Sequence, residues 1–327
     1  MPTNLPPEYY KVEEKYKAAE TVEEQTELLE ELISTIPKHK GTDHLRADLR
    51  RRLSKLKERG KQQKKTGRIT SVFIIDKEGA GQVAVIGDSN VGKSSLVAEL
   101  TNADPTVSEN PYTTWQPSPG MMPIANIQVQ LIDTPPMDRE FVEPEFYQLV
   151  RRADMILLMV DLVRDPISQM EDAVEKLLEN RIIPQHLADE HDVLGTKVIP
   201  LLVLCNKYDD ESADENYHIF SQLKETDLPC LPISVRTKRN IEEMKRRIFE
   251  ALNVMRIYSK SPNKDADLSA PFVIERGATV EEFALKLHRD FYDNLKSARV
   301  WGSSDFDGQM VSREYMLQDE DIVELKI

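Results

Sequence analysis

The sequence has little of what holds small secreted proteins together or carries a chain across a membrane. Its two cysteines, Cys205 and Cys230, lie in no paired-cysteine motif, so we expect neither a disulfide scaffold nor a zinc ribbon. The longest apolar runs, Met155–Val160 and Val198–Cys205, fall far short of the roughly 18 residues that span a bilayer. No basic and apolar leader follows Met1. These absences predict a cytoplasmic protein.

Charge is plentiful but unevenly placed. Charged residues make up 31% of the 327 residues, and the formal net charge of −14 argues against nucleic-acid binding along the whole chain. Segment 38–68 nevertheless holds 13 lysines and arginines against three acidic residues. The asymmetry predicts one basic contact element on an acidic body.

Residues 1–68 predict a helical hairpin arm with a basic second helix. Thr21 and Glu24 match a capping box, and apolar residues follow at helical spacing. The apolar stripe of the second helix consists of Leu45, Leu49, Leu53 and Leu56. Its arginines and lysines then face outwards, where they form either a solvated charged face or a contact for phosphate backbones.

A complete phosphate-binding motif lies in the first third of the chain. Gly87–Ser94 match G-x-x-x-x-G-K-[ST], directly after the apolar strand candidate Val83–Ile86. The two glycines let backbone N–H groups close around phosphates at a helix N-terminus, Lys93 adds a positive charge, and the Ser94 hydroxyl can ligate Mg²⁺. The motif predicts nucleoside triphosphate binding, and a plain glycine turn between strand and helix is the alternative.

From Arg68 to about Tyr258, apolar runs alternate with helical patterns, which is typical of a mostly parallel α/β sheet covered on both faces. The strand candidates are Ile69–Ile75, Val83–Ile86, Ile127–Ile132, Met155–Val160, Val198–Cys205 and Cys230–Ile233. The residues that directly follow four of these runs are Gly87, Asp133, Asn206 and Ser234. Because such sheets bind ligands beyond the carboxyl ends of their strands, we expect these residues in one site.

Asp133 and a turn-rich segment upstream of it are candidates for a magnesium site. Asp133 can hold a Mg²⁺-bound water, and its alternative role is a helix cap. Segment Asn110–Gly120 should be a mobile loop, from which Thr113 or Thr114 can reach the same ion when a γ-phosphate is present. A plain surface loop is the alternative.

The tetrapeptide Asn206-Lys-Tyr-Asp209 predicts selectivity for guanine. The Asp209 carboxylate can accept two N–H bonds from the purine edge that carries an exocyclic amine, and adenine lacks that donor pair there. The Lys207 stem can lie over the base, while Asn206 ties this loop to the phosphate-binding motif. Ser234 can place backbone N–H groups near the guanine oxygen.

The stretches GDSNVGKSS, PYTTWQPSPG, DTPP and NKYD resemble the signature set of the Obg/HflX group of GTPases, and most closely the developmentally regulated GTP-binding (DRG) proteins. The resemblance implies a Ras-like P-loop GTPase domain that binds GTP or GDP with Mg²⁺. It implies catalytic roles for Lys93, Thr114 and Asp133, and a Mg²⁺ site at Ser94, Thr114 and Asp133. The implied nucleotide-binding residues are Gly87, Asp88, Ser89, Asn90, Val91, Gly92, Lys93, Ser94, Ser95, Asn206, Lys207, Asp209, Ser234 and Val235.

Hydrolysis depends on residues in and beside these motifs. Asn90 matches an asparagine that binds K⁺ beside the phosphates in some related GTPases, although an asparagine can also simply tolerate a tight turn. Relatives carry Asp-x-x-Gly where this chain has Asp133-Thr-Pro-Pro136, and proline has no N–H to offer a γ-phosphate. Met137 stands where small Ras-like GTPases carry a water-orienting glutamine, so we expect slow intrinsic hydrolysis. DRG proteins also carry an inserted domain where this chain has only segment 162–196.

The C-terminal segment resembles the TGS module, a small domain of ubiquitin-like β-grasp topology. We expect the GTPase domain to occupy residues 69–258, a polar linker 259–270 and the module 271–327. Its predicted elements are a strand at Pro271–Ile274, a helix capped by Thr279 and Glu282, and strands near Ala298–Trp301 and Ile322–Ile327. The helix should present Phe283, Leu287 and Phe291 on one face, and His288 and Trp301 should pack rather than bind a ligand.

Together these features predict a slow regulatory GTPase that acts on ribosome- or RNA-associated partners through its basic arm and the TGS module. Two alternatives stay open. One is a non-catalytic, nucleotide-gated scaffold, suggested by Pro135, Pro136 and Met137. The other is an ATP-dependent enzyme that shares only the phosphate-binding motif.

Overall fold

The structure, a computed structural model, describes residues 72–101, 116–139, 141–192, 194–262 and 264–327, together with seven residues of the N-terminal segment. Those seven are Val12, Leu28, Leu29, Leu32, Ile33, Thr35 and Leu49. The chain separates into two units, Met1–Val72 and Phe73–Ile327.

The described residues of the N-terminal unit include one small apolar cluster. Val12, Leu32 and Leu49 are helical and buried together, and Leu28 and Ile33 pack against them. Leu49 belongs to the predicted apolar stripe of the second helix, and Leu32 is one of the apolar residues that follow the predicted capping box. The other predictions for residues 1–68, including the capping box and the basic face, lie outside the described residues.

A six-stranded sheet with flanking helices opens the second unit. The strands of this region are β1 (Gln82–Gly87), β2 (Ser118–Ile124), β3 (Ile127–Asp133), β4 (Met155–Asp161), β5 (Ile182–Pro184), β6 (Lys197–Ile199), β7 (Leu201–Asn206) and β8 (Cys230–Pro232). The helices are α1 (Lys93–Leu100), α2 (Pro144–Arg152), α3 (Pro166–Glu179), the 3₁₀ helix Gln185–Glu190, α4 (Glu211–Leu223) and α5 (Ile241–Ala251). The sheet order is β2-β3-β1-β4-β7-β8, with β2 antiparallel to β3 and all other neighbours parallel, while β5 and β6 form a separate parallel pair.

The middle strands are buried over their whole length, because helices cover both faces of the sheet. Every residue of β1 and β4 is buried. The side chains of β1 alternate between two apolar cores, with Ala84 and Ile86 in one and Val83 and Val85 in the other. The predicted α/β class with a mostly parallel sheet is confirmed.

Two strand predictions for this region are wrong. Val198–Cys205 is not one strand, because Pro200, which has no N–H to donate, separates β6 from β7. Val72 and Phe73, placed in a strand candidate, are helical, and residues 74–78 belong to no strand. Phe73 instead packs into one of the two cores of the sheet.

Part of the predicted mobile loop is also ordered as strand. Ser118–Gly120 open β2, which pairs with β3 over its whole length, from Ser118 opposite Asp133 to Ile124 opposite Ile127. β2 is an edge strand, and its outer side pairs with no neighbouring strand. Prolines, which lack an N–H, are therefore tolerated there.

The C-terminal region forms a five-stranded sheet with its own core. Its elements are β9 (Val254–Ser259), β10 (Phe272–Glu275), α6 (Val280–Leu287), α7 (Arg289–Asn294), β11 (Ser297–Trp301), β12 (Gln309–Val311) and β13 (Ile322–Lys326). The strand order is β10-β9-β13-β11-β12, and only β9 and β13 run parallel. Across the described ranges, no helix is long and apolar enough to cross a bilayer.

This second sheet begins earlier than predicted. The sequence placed the end of the preceding domain at residue 258, but β9 pairs with β10 and β13. Its Met255 and Ile257 are buried in the same core as Phe283. The predicted linker over 259–270 therefore lies between β9 and β10, inside the C-terminal region.

The start of α6 agrees with prediction, and its end does not. The Thr279 hydroxyl accepts a hydrogen bond from the Glu282 N–H, and the Glu282 carboxylate accepts one from the Thr279 N–H. The helix ends at Leu287, because the extended backbone of His288 interrupts it, and Phe291 lies exposed on the separate helix α7. His288 caps α7, accepting a hydrogen bond from the Asp290 N–H at 3.1 Å.

The turn between β2 and β3 contacts the C-terminal region. Asn126 Nδ2 donates to the Tyr258 hydroxyl at 2.7 Å and to the Leu268 carbonyl oxygen at 3.2 Å. Arg256 Nη1 donates to Asn126 Oδ1 at 3.4 Å, and the same guanidinium forms an ion pair with Asp319 at 2.6 Å. The tip of the β2–β3 hairpin is thus hydrogen-bonded to the second sheet and its loops.

Candidate functional site

Polar residues at the ends of parallel strands meet at one edge of the six-stranded sheet. Val85 of β1 is level with Asp133 at the end of β3, and Asp161 at the end of β4 is level with Asn206 at the end of β7. This register brings the carboxyl ends of β1, β3, β4 and β7 together at that edge.

The segment Gly87–Ser94, called here the glycine loop, has a backbone that only glycine fits at two positions. Gly87 and Gly92 have φ angles of +138° and +105°. A Cβ at Gly87 would lie 2.3 Å from the Met159 carbonyl oxygen, and one at Gly92 would lie 2.4 Å from Asn206 Nδ2. The glycines therefore allow the loop to fold against β4 and β7, with α1 starting directly after it at Lys93.

Lys93 is a buried cation held over this loop. Its side chain is buried, and Nζ donates to the carbonyl oxygens of Gly87 at 2.9 Å and Asp88 at 2.6 Å. Burial lowers the pKa of Lys93, against the opposing effect of Asp133 and Asp138. The ammonium group is thus kept close to the loop but poorly solvated.

Asp133 carries an unsatisfied oxygen beside the start of α1. Burial raises the pKa of Asp133, while a hydrogen bond with Ser94 and the charge of Lys93 lower it. Asp133 Oδ1 is buried and has no hydrogen-bond partner among the described residues. Since buried carboxylate oxygens are normally paired, this one fits a hydrated divalent cation.

A second carboxylate, Asp138, faces the glycine loop and was not predicted. It accepts hydrogen bonds from the Ser89 N–H at 3.1 Å and from Ser89 Oγ at 2.8 Å. Burial, and next the charge of Asp138, raise the pKa of Asp88. The loop is therefore rich in acidic as well as basic groups. Nothing in its sequence position distinguishes Asp138 from a solvent-exposed acid.

Asn206 lies between the glycine loop and the segment after β8. Its Nδ2 donates to the Val91 carbonyl oxygen at 2.8 Å, and its Oδ1 accepts from the Val235 N–H at 3.3 Å. The bond to Val91 joins the Asn206–Asp209 segment to the glycine loop, and the bond to Val235 adds a contact with the segment after β8.

In the Asn206–Asp209 segment, called here the NKYD loop, the charged side chains of Lys207 and Asp209 are paired with neighbouring residues. Ser234 Oγ donates to Asp209, and Arg236 Nη2 forms an ion pair with the same carboxylate at 3.0 Å. Lys207 has a positive φ of 69° and forms an ion pair with Asp161, which is 1% exposed. Asp161 and Arg236 were missed from the sequence, although Asp161 directly follows an apolar run, as Asp133 does.

Three features bear on the predicted chemistry of hydrolysis. Met137 is fully buried among apolar side chains, and its backbone N–H donates to the Gly87 carbonyl oxygen at 3.2 Å. Asn90 is exposed, with a φ of 62° that agrees with the tight-turn alternative. Thr113 and Thr114 lie outside the described residues.

Comparisons with known proteins agree with this architecture. A family model described as a 50S ribosome-binding GTPase matches residues 82–191, and a TGS domain model matches residues 255–327. The S. pombe YchF GTPase, a solved structure, has a TM-score of 0.52 at 14% identity and covers 77% of this chain and 99% of its own. At that identity the likeness shows the fold alone.

Two curated relatives match almost end to end. A GTP-binding protein of Methanocaldococcus jannaschii is 30% identical over 366 residues, covering 94% of this chain and 93% of the relative. The developmentally-regulated G-protein 3 of Arabidopsis thaliana is 24% identical, covering 93% and 98%. Both alignments are longer than the 327 residues of this chain, so the relatives carry internal residues that it lacks. The chain belongs to the Obg-like GTP-binding proteins related to the DRG group, which are P-loop GTPases, and it ends in a TGS domain.

Proposed function

We propose that the chain binds GTP and GDP together with Mg²⁺ at the carboxyl edge of the six-stranded sheet and hydrolyses GTP slowly. The observation that carries the metal part is the buried, unpaired Oδ1 of Asp133 beside Ser94. Ser94 and Asp133 would hold Mg²⁺, with Thr114 as the proposed third ligand. The bound ion supplies positive charge to the phosphate oxygens.

Lys93 and the glycine loop supply the rest of the phosphate site. The Lys93 ammonium now donates to two loop carbonyls, and we propose that it exchanges these for phosphate oxygens. Backbone N–H groups of Gly87–Ser95 at the start of α1 would complete the cradle. These groups stabilise charge on the γ-phosphate without an acid–base side chain.

The NKYD loop is proposed to select the base. Asp209 would accept two hydrogen bonds from guanine, with the Lys207 stem over the ring and the backbone of Ser234 and Val235 near the guanine oxygen. Asp209 is already aimed by Ser234, which supports a fixed recognition geometry.

Slow hydrolysis follows from the residue after the two prolines. The Met137 side chain packs into the core, so this position offers no group that orients a water. Without such a group, the rate constant should be of order 10⁻³ s⁻¹ or below. A K⁺ ion held with the help of Asn90 is the proposed accelerator.

Titration calorimetry with GTP, GDP and ATP in Mg²⁺ tests the binding proposal. GTP and GDP should bind with dissociation constants in the low micromolar range or below, and ATP should bind at least about 100-fold more weakly. No heat with guanine nucleotides, or equal affinity for ATP, would contradict it.

Single-turnover hydrolysis in KCl and in NaCl tests catalysis. Release that is at least about tenfold faster in KCl, and loses that advantage in Asn90→Ala, supports K⁺ assistance. Slow release that is equal in both salts supports an unassisted GTPase. No release in either salt favours the non-catalytic scaffold, for which the buried Met137 is the motivating observation.

Ribosome or structured RNA is the proposed partner, supported by the basic segment 38–68 and by the TGS domain. The triple variant Arg50→Gln, Arg51→Gln, Arg52→Gln should weaken RNA binding and flatten its salt dependence, because each phosphate contact adds to the salt slope. Unchanged binding would exclude the basic segment as the contact.

A further inference from the structure

A groove that no residue of the glycine loop lines lies between α3, the 3₁₀ helix Gln185–Glu190 and segment 225–228. Its volume is about 450 Å³. The surrounding residues form part of the six-stranded region, and none of them belongs to the proposed nucleotide site.

The floor of this groove is apolar. Met170, Val174 and Leu178 form one stripe at four-residue spacing along α3, and Leu187 and Leu228 face them from the other elements. Val174 and Leu178 are partly exposed, so apolar surface is left open to solvent. The stripe runs for about two turns of α3, or about 12 Å.

Every ionisable residue that lines the groove is acidic. These residues are Glu171, Glu175, Glu179, Glu190, Glu225 and Asp227, and all of them are exposed. Three form a second stripe on α3 beside the apolar one, and three stand on the opposite rim. Acids therefore flank the apolar floor on both sides.

These carboxylates are not neutralised within the described part of the chain. None of the six takes part in an ion pair there, whereas Glu243 and Glu250 on α5 pair with arginines. Lys224 is the adjacent base, and its Nζ donates to the carbonyl oxygens of Thr226 at 2.7 Å and Leu228 at 3.2 Å. Its charge is directed to the backbone of the loop.

We propose that this groove is a docking site for a cationic amphipathic helix of a protein partner. Such a helix would place an apolar stripe, repeating every three to four residues, on the Met170–Val174–Leu178 floor. Lysines or arginines on both flanks of that stripe would meet the two acidic rims. The helical spacing of both stripes on α3 favours a helix over an extended peptide.

A fluorescent peptide of about 14 residues, with leucines on one helical face and lysines on the other, is the probe. Fluorescence anisotropy with the full-length protein should show saturable binding that weakens as salt rises. A peptide of identical composition with the leucine and lysine positions scrambled should bind at least about tenfold more weakly, because it has no apolar face to dock. Equal binding of the two peptides would overturn the proposal.

Two variants separate docking from general attraction to an acidic protein. Glu171→Gln with Glu175→Gln should weaken peptide binding at least about fivefold, while the matched pair Glu211→Gln with Glu215→Gln, on the exposed surface of α4, should change it less than about twofold. Equal weakening by both pairs would indicate non-specific attraction and overturn the proposal.

Val174→Asp is the decisive variant, because it adds negative charge while it removes apolar floor. Docking predicts weaker peptide binding, whereas simple electrostatic attraction predicts stronger binding. Retained GTP binding and an unchanged circular dichroism spectrum show that the variant is folded. If it fails that check, Val174→Ser replaces it with the same expected loss, and undiminished binding by the folded variant would contradict the proposal.

Discussion

The glycine loop and the NKYD loop stand side by side, yet they differ in how well their charges are satisfied. At the glycine loop, burial shifts the pKa of Lys93 downwards and that of Asp133 upwards, and one Asp133 oxygen has no partner among the described residues. At the NKYD loop, Asp209 has two partners and Lys207 pairs with Asp161.

This difference assigns separate tasks to the two loops. Unsatisfied buried charge raises the free energy of the ligand-free protein, and a ligand of opposite charge relieves it. The glycine loop should therefore supply most of the affinity. The NKYD loop, already ordered, loses little entropy when it binds and should supply selectivity between bases. Substitutions in each loop should affect these two quantities differently.

Lys93→Met should have the largest effect. It removes a charge that is expected to make several charge-assisted bonds, so GTP affinity should fall at least about 100-fold. Calorimetry measures this loss. Lys245→Met, which removes a surface ion pair with Glu242, is the matched control and should leave the affinity unchanged. A loss of less than about threefold for Lys93→Met would contradict its proposed role.

Asp209→Asn should change selectivity rather than abolish binding. The amide cannot accept both guanine N–H groups, so GTP affinity should fall by about 100-fold. Xanthosine triphosphate, whose C2 carbonyl oxygen can accept from the new amide, should bind the variant more tightly than it binds the wild type. Competition against a fluorescent nucleotide measures both. Parallel losses for the two nucleotides would show that the loop has unfolded rather than changed its preference.

Asp133→Asn should separate ligand binding from stability. Mg²⁺ increases the affinity for GTP, and the factor of this increase should become about tenfold smaller, since a carboxylate ligand is lost. The ligand-free protein should melt about 2–4 °C higher, because a carboxylate that burial disfavours, with one unpaired oxygen, is replaced by a neutral amide. A lower melting temperature would mean that the carboxylate stabilises the fold.

The gain in melting temperature expected for Asp133→Asn should depend on pH, and the pKa shift of Asp133 sets the direction of that dependence. Because burial raises the pKa of Asp133 in the folded protein, its ionised form destabilises the ligand-free fold above that pKa and ceases to do so below the ordinary value of 3.8. The advantage of Asp133→Asn in melting temperature should therefore be largest near neutral pH and shrink as pH falls. An advantage that grows on acidification would refute this account.

Arg236→Ala should have the smallest effect. Its ion pair with Asp209 is exposed, with 74% of the arginine side chain accessible, and such pairs contribute at most about 1 kcal/mol. GTP affinity should change less than about threefold in the same calorimetric assay. A tenfold loss would place Arg236 among the residues that contact the base.

The sequence was a good guide to the central sheet and a poor one to its borders. Strands such as β4 are continuous apolar runs, because both faces are covered, and such runs are hard to mistake. The edge strand β2 carries Pro119, Gly120 and Pro123, which also favour turns. β9 was not among the strand candidates, and its residues were assigned to the preceding domain, because local pattern does not reveal which of two sheets a segment joins.

The same holds for the site, where short motifs were predicted and contacts between residues far apart in the chain were not. The glycine loop and the NKYD loop were predicted because their chemistry is encoded in consecutive residues. The ion pair of Lys207 with Asp161 and the contact of Asp138 with Ser89 join residues about 50 positions apart. Such pairs follow from the register of the sheet and not from any short motif.

The β2–β3 hairpin has one end at Asp133 and the other hydrogen-bonded, through Asn126, to Tyr258. Only two residues, Leu252 and Asn253, separate α5 from β9. One paired hairpin therefore contacts the TGS domain at its tip and carries, at its other end, the carboxylate proposed to hold the metal.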